Sequence, residues 1–585
     1  MKKVLILFLG LFLVSLTTSF AQSLMDYVKE VKGDTLVVND YYDMGEVASS
    51  LTNVMIADSV DVPAGRVYEL QTNGWYPFGT NPNTPSNRPV TIVGAEKTIL
   101  VNNSDVAKAP PIISGFVNEG GPNSGGFTYQ NDLTMKNTAT CVGAPDGSYS
   151  WAFYGPGAPN THAIFQNCLM EHNWWVMLQS NAWEGSTIRF IDDYFVNMSG
   201  RNCRRNGGVY DNVNNPTDTM WVENCTHIMA QGSMYKFRNY EVGLVFINHN
   251  TFINCVGTVI ETQGFQSKVA VTNNIFVNSN CQPFRPNMTE DLPEQDADQL
   301  PTGIIDVAVL PDSMPQLDRK FYVDKNLVYW DSRLLGLGAA ANAIPVNGFT
   351  TWVDQSIKMN DRTAAMFADN TTYPYLTEGD WYEKLPAFTD PQDLLTTQVD
   401  AARTFCLATV DTTSLDVLPD WRVNSQDFLY SDWPIPVDLS YSDADLKTGG
   451  TDGLPVGDLN WFPTEKATFN ANMAAYHAAI FNVLETGVTS VEELGGVPTK
   501  FELTQNYPNP FNPTTSITFT IPEAGNVTLK VYDMLGKEVA TLVNGYQTAQ
   551  SYKVEFDGAS LASGVYLYTL STNNFTQTKK MVLMK

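Results

Sequence analysis

Basic side chains are scarce in this chain: 35 Lys and Arg stand against 62 Asp and Glu over 585 residues, a net charge of −27. A field of that sign repels nucleic acid and anionic membranes, so neither is an expected partner. Long apolar runs are nearly absent as well. The only one, Val4–Leu16, follows Lys2 and Lys3 and precedes Ser19-Phe20-Ala21, the pattern of a secretory signal peptide over residues 1–21. No later stretch offers the roughly 20 apolar residues of a membrane-spanning segment. Cysteines number 7, an odd count, and Cys168, Cys203, Cys225, Cys255 and Cys281 each follow an Asn. That placement reads as small buried stacking residues rather than a disulfide framework, although an exported chain has access to disulfides. Helical periodicity is confined to Thr464–Glu485. There Thr464 is expected to cap a short helix, Phe469, Met473, Ile480 and Leu484 to share its buried face, and Gly487 to end it against the end of the fold.

What the chain has in quantity is a repeat. Phe165-Gln166-Asn167-Cys168-Leu169 returns as Ile191-Asp192-Asp193-Tyr194-Phe195, Val222-Glu223-Asn224-Cys225-Thr226, Asn248-His249-Asn250-Thr251-Phe252 and Thr272-Asn273-Asn274-Ile275-Phe276. Aligned on a polar pivot at Asn167, Asp193, Asn224, Asn250 and Asn274, the copies recur at roughly 24 to 31 residues, a solenoid period. Asp324-Lys325-Asn326-Leu327-Val328-Tyr329 restores the phrase after an acidic insertion around residues 290–298. Stacked rungs put equal positions about 4.8 Å apart, so the pivots are expected to hydrogen-bond along the stack and satisfy the backbone of a bend. The expected fold is all-β: an N-terminal cap and first rungs over 22–110 and a parallel β-helix over 111–340. An irregular C-terminal cap with the helix would fill 341–487, followed by a linker at 488–500. From Phe501 the alternation of Ile517, Phe519 and Ile521, then Val527, Leu529 and Val531, predicts a β-sandwich of about seven strands.

Beyond the pivots a second strand recurs: Leu178-Gln179, Arg204-Arg205, Phe237-Arg238, Ile260-Glu261 and Phe284-Arg285. Alternation assigns the outward column to Gln179, Arg205, Arg238, Glu261 and Arg285, with Trp174, Trp175 and Trp183 near its first rung. Guanidiniums in one stripe pair bidentately with carboxylates, which suits an acidic polysaccharide, and the indoles would stack on sugar faces. The same column would equally neutralise itself through Glu261. Ca²⁺ is a possible ligand of the acidic insertion. Asp443-Ala444-Asp445 with Gly449–Gly453 lacks the acidic twelfth residue of an EF-hand loop. His172, His227 and His249 follow the pivots at irregular offsets and are assigned no catalytic role.

The tail motifs Tyr507-Pro508-Asn509-Pro510-Phe511-Asn512-Pro513, Val531-Tyr532-Asp533-Met534-Leu535-Gly536, Leu561-Ala562-Ser563-Gly564-Val565-Tyr566 and Lys579-Lys580-Met581 resemble the type A C-terminal sorting domain of type IX secretion system cargo. The resemblance implies that the type IX machinery recognises residues 501–585 and delivers the chain to the cell surface or the medium. The rung phrase, with Thr91-Ile92-Val93-Gly94-Ala95 before it, resembles right-handed parallel β-helix proteins of the pectate-lyase-like superfamily. That family holds enzymes, adhesins and tailspikes, and the Arg-x-Pro-x-x-Arg, Gly-His-Gly and Arg-Ile-Lys signatures of its pectinolytic members are missing. Three readings stay open: an exported glycan-recognising protein, a polysaccharide lyase or glycoside hydrolase using the Arg stripe with Glu261 or Asp192, and a purely structural or adhesive surface protein.

Overall fold

The computed structural model describes residues 23–78, 84–95, 110–115, 127–141, 152–171, 176–180, 183–198, 208–213, 215–238, 240–262, 265–284, 300–308, 319–344, 351–408, 410, 437–487, 492–494, 500–522, 525–547, 550–572 and 575–585. Three sheets stack along one axis. Sheet A has 12 strands, sheet B 10 and sheet C 6. Apart from the opening hairpin Val28–Lys32 with Thr35–Val38, every pairing within the three is parallel, as in Ser186–Ile191 against Thr217–Glu223. This is the predicted β-helix.

From Leu133–Lys136 onward each strand of sheet A passes into sheet B through a short bend, and the bend explains the repeated phrase. Its first residue is left-handed: Asn137, Asn167, Asp192, Asn224, His249, Asn273 and Lys325 all have positive φ. Asn and Asp tolerate that conformation best among residues with a Cβ. The second residue is buried and belongs to a separate column. Asp193 Oδ1 accepts from Cys168 N at 2.7 Å, Asn250 Oδ1 from Cys225 N at 2.9 Å, Asn274 Oδ1 from Asn250 N at 2.9 Å and Asn326 Oδ1 from Asn274 N at 3.0 Å. Single alignment on one pivot therefore merges two columns: Asn167 and Asn224 occupy the left-handed site, whereas Asp193, Asn250 and Asn274 form the ladder. Burial pushes the Asp193 carboxyl well above its ordinary range, against the backbone hydrogen bonds it accepts. It stands in a row of neutral amides.

The interior carries further rows. Phe195, His227, Phe252 and Phe276 are register partners and stack ring on ring, His227 lying 4.7 Å from Phe195 and 4.1 Å from Phe252. Burial drives His227 well below the usual imidazole range, and its Nε2 meets Tyr235 Oη at 2.8 Å. Helix α1 (Ser50–Ala57) lays Leu51, Val54 and Met55 over one end of this core.

The segment after the solenoid is not only an end cap. It runs along the flank of the solenoid. A last rung forms at Leu376–Glu378 and Trp381–Glu383, inside the stretch whose rungs the sequence leaves unassigned. Helix α2 (Leu337–Asn342) and, on the other side of helix α3 (Asp361–Ala368), helix α4 (Thr397–Ala408) cover the outer face of sheet B together with Val437, Leu439, Tyr441 and Trp461. At the far end α3 packs Met366 and Phe367 on the core, beside Ile304, Ile305 and Val307. Sheet-B strands such as Tyr194–Met198 and Thr251–Cys255 are in consequence buried on both faces. Residues 451–466 then trace the bend back, rung by rung: Thr451 N donates to Asn273 Oδ1, Asp452 Oδ2 meets His249 Nε2 at 2.8 Å, Asn460 Nδ2 donates to Asn224 O, and Lys466 pairs with Asp192.

Helix α5 (Pro463–Thr486) starts with Pro463 in its first turn, one residue before the expected Thr464 cap, and ends at Gly487 with φ +67°. It packs on the side of sheet A rather than on the solenoid end, with Ile480 and Leu484 against Trp221, Phe246, Ala270 and Tyr322. Met473, expected on the buried face, is 42% exposed because the strip the helix covers is narrow. The tail contributes seven described strands to two antiparallel sheets, three to one and four to the other, around Ile517, Phe519, Ile521, Leu529 and Val531, and Glu492–Leu494 from within the expected linker adds a fourth strand to the first.

Two outcomes test the ladder. Asn274→Ala strands the Asn250 N–H and the Ile247 carbonyl and is expected to destabilise by about 2 kcal/mol, read as a lowered Tm; an unchanged Tm would show that the ladder carries no stability. A carboxyl raised in the fold contributes stability that is complete below the unfolded value of about 3.9 and is lost as pH rises through the folded value. Asp193→Asn is therefore expected to match the parent's Tm at pH 4 and exceed it at pH 8, and a gap that closes with rising pH would mean that Asp193 is ionised.

Candidate functional site

Sheet C does not align the predicted column. Its register runs Gln179 to Asp211, Asp211 to Lys236 and Lys236 to Glu261. Gln179 and Glu261 share the column, but Arg238 lies past the end of its strand, Tyr235–Phe237. Arg205, Arg285, Trp174 and Trp175 lie outside the described residues. The connections before Val176, Tyr235 and Ile260 are equal in length, so Gln179, Lys236 and Glu261 share one spacing from the bend and Arg238 lies two residues beyond it; the longer connection from Met198 to Gly208 shifts the count on its rung, to Asp211.

The charges of this column are engaged. Arg238 makes a fork on Asp211, Nε to Oδ1 at 2.8 Å and Nη2 to Oδ2 at 2.7 Å, and Asp211 is fully buried. Glu261, also buried, accepts from Ser233 Oγ, and buried Lys236 sits between the two carboxylates in register. Breaking such a buried pair costs several kcal/mol, which makes Arg238 a poor ligand for an incoming carboxylate. Trp183 stands 41% exposed after the strand of Gln179. Asp192 is held by Lys466. Glu223 is buried, which alone would raise its carboxyl, yet the hydrogen bond and charge of His477 together with Asn248 hold it below its ordinary value. These partners tie α5 to sheet A.

Among the described residues no group of three or more His, Cys, Asp or Glu is placed to hold a metal ion. Asp443 and Asp445 instead bracket Lys384, whose ammonium lies 3.1 and 2.7 Å from them. The acidic insertion lies outside the described residues.

A groove opens at the last rung, with a volume of about 470 Å³. Its apolar lining is Val328, Trp330, Ile357, Met359 and Ala364, and its charged lining is Lys358, Glu378 and Glu383. Strand pairing places these groups: Trp330 follows Asn326–Tyr329, which pairs with Trp381–Glu383, while Glu378 closes the last strand of sheet A. Trp330 Nε1 donates to Ser279 O at 2.6 Å, which fixes the indole. Lys358 Nζ pairs with Glu383 at 2.7 Å, and Glu378 accepts from Trp381 Nε1 at 2.9 Å. Buried Asp306 gathers Thr363 Oγ1, Asn360 Nδ2 and Arg362 around the start of α3; burial, opposed by these bonds, pushes its carboxyl up to about 6. Glu378 and Glu383 belong to the last rung, which the sequence leaves unassigned, whereas Val328 lies in the restored phrase. Trp330, directly after the restored phrase at Asn326–Tyr329, was the available signal.

Residues 505–584 match the family model of the secretion system C-terminal sorting domain. No curated protein and no solved structure matches the chain. Among the described residues no helix is long and apolar enough to cross a membrane. The match bears out the expected route: the chain carries a type IX sorting domain and is exported to the cell surface or secreted.

Proposed function

We propose that the β-helix recognises a glycan outside the cell, and that it does so through the groove at the last rung. The observation that carries this reading is the groove's amphipathic make-up, an apolar lining containing one fixed indole together with two carboxylates and one ammonium. Sugars present the same two faces: C–H patches that stack on aromatic rings and hydroxyls that bind charged oxygen or nitrogen groups. With Glu378 and Glu383 against Lys358 alone, the charged lining is net negative. That favours neutral or amino sugars over uronates and moves the reading away from an acidic polysaccharide. The paired state of Arg238 and Glu261 in sheet C points the same way, and it also favours binding over lyase or hydrolase chemistry.

The test is a glycan array probed with the full exported chain. Binding to neutral or amino-sugar glycans is expected, with Trp330→Ala weakening it at least about tenfold, or about 1.4 kcal/mol. Glu378→Gln with Glu383→Gln should weaken amino-sugar binding most. Exclusive binding of uronate glycans, or affinity indifferent to Trp330, would overturn the reading.

A further inference from the structure

Cys168, Cys225 and Cys255 sit inside the solenoid, each with its sulfur near a carbonyl of its own rung and one of the rung before, such as Cys225 Sγ at 3.5 Å from Phe190 O. Cys281 and Cys406 are different. Cys281 lies just past the sheet-B strand Ile275–Val277, its N–H bonded to Val256 O at 2.9 Å, whereas Cys406 belongs to the last turn of α4. They come from segments far apart in sequence, yet both are buried in the apolar cluster between sheet B and its covering layer, where the Cys406 thiol feels that of Cys281. Both are thiols in the structure.

We propose that Cys281 and Cys406 are a disulfide in the exported protein, stapling α4 to the solenoid. The sorting domain takes the chain out of the reducing cytoplasm into a compartment where disulfides persist. The oxidant is the disulfide of a periplasmic thiol–disulfide oxidoreductase. One Cys thiolate attacks it to form a mixed disulfide, and the second displaces the oxidoreductase thiol. The two cysteines lose two protons and two electrons, and the oxidant leaves as a dithiol. Both sulfurs are sealed once α4 has docked, and burial pushes the Cys406 thiol well above its ordinary range, which suppresses the attacking thiolate. Oxidation therefore accompanies docking of α4 and does not follow it, and the finished bond resists external reductant.

The full chain, isolated after export and alkylated in denaturant, should take up two fewer alkyl groups without prior reduction than with it. Peptide mapping without reduction should recover Cys281 joined to Cys406. Reduction in denaturant followed by refolding with blocked thiols should lower the Tm, and Cys406→Ser should have a lower Tm that reductant no longer changes. Equal alkylation with and without reduction, or a map joining either residue to Cys203 instead, would overturn the proposal. The mapping uses the unaltered protein, so it decides even if Cys406→Ser fails to fold.

Discussion

The side-chain hydrogen bonds between successive bends hold the rest of this fold in place. A strand that must turn from one sheet to the next leaves backbone N–H groups facing a dry interior, where each unpaired group costs free energy. Asp193, Asn250, Asn274 and Asn326 supply the missing acceptors, each to the rung before it. The neighbouring left-handed residues face outward, and there the returning segment reads them: His249 takes Asp452, Asn273 takes Thr451, and Asp192 takes Lys466. One bend thus joins rung to rung on the inside and solenoid to covering layer on the outside.

That layer shapes where a ligand can bind. The outer face of sheet B and a strip of sheet A are given to packing, under α2, α4 and α5. The charges of sheet C are engaged within the fold: Asp211 takes the Arg238 fork, Glu261 accepts from Ser233 Oγ, and Lys236 lies between the two carboxylates in register. The groove at the last rung differs because rung stacking stops at Leu376–Glu378 and Trp381–Glu383, leaving Glu378 and Glu383 without a further rung among the described residues, while Trp330 follows the rung before.

The fold was legible from the sequence where one position does one job. Apolar alternation and the Asn-rich phrase mark the solenoid, and the tail motifs mark the sorting domain. Legibility failed where one residue type does two jobs. Asn serves both the left-handed site, as at Asn224, and the ladder, as at Asn250, so a single alignment confuses them. It failed again where geometry depends on loop length, as in the longer connection before Gly208–Asp211 that puts Asp211 in the column, and where contacts are remote in sequence, as between Thr226 and Asp458. The groove combines both difficulties: Glu378 and Glu383 belong to a late rung that only the pairings with Lys320–Asp324 and Asn326–Tyr329 reveal.

Helix α5 touches residues from successive strands of sheet A, Trp221, Phe246, Ala270 and Tyr322, while Glu485 at its end reaches Lys268 and Lys320. A straight rod laid across the stack acts as a gauge of rung spacing and number. Bare solenoids grow or shrink by duplicating or deleting a repeat, since each unit meets only its neighbours. Here an inserted rung would throw every mark on the gauge out of step, so this architecture has given up modular growth for a fixed length.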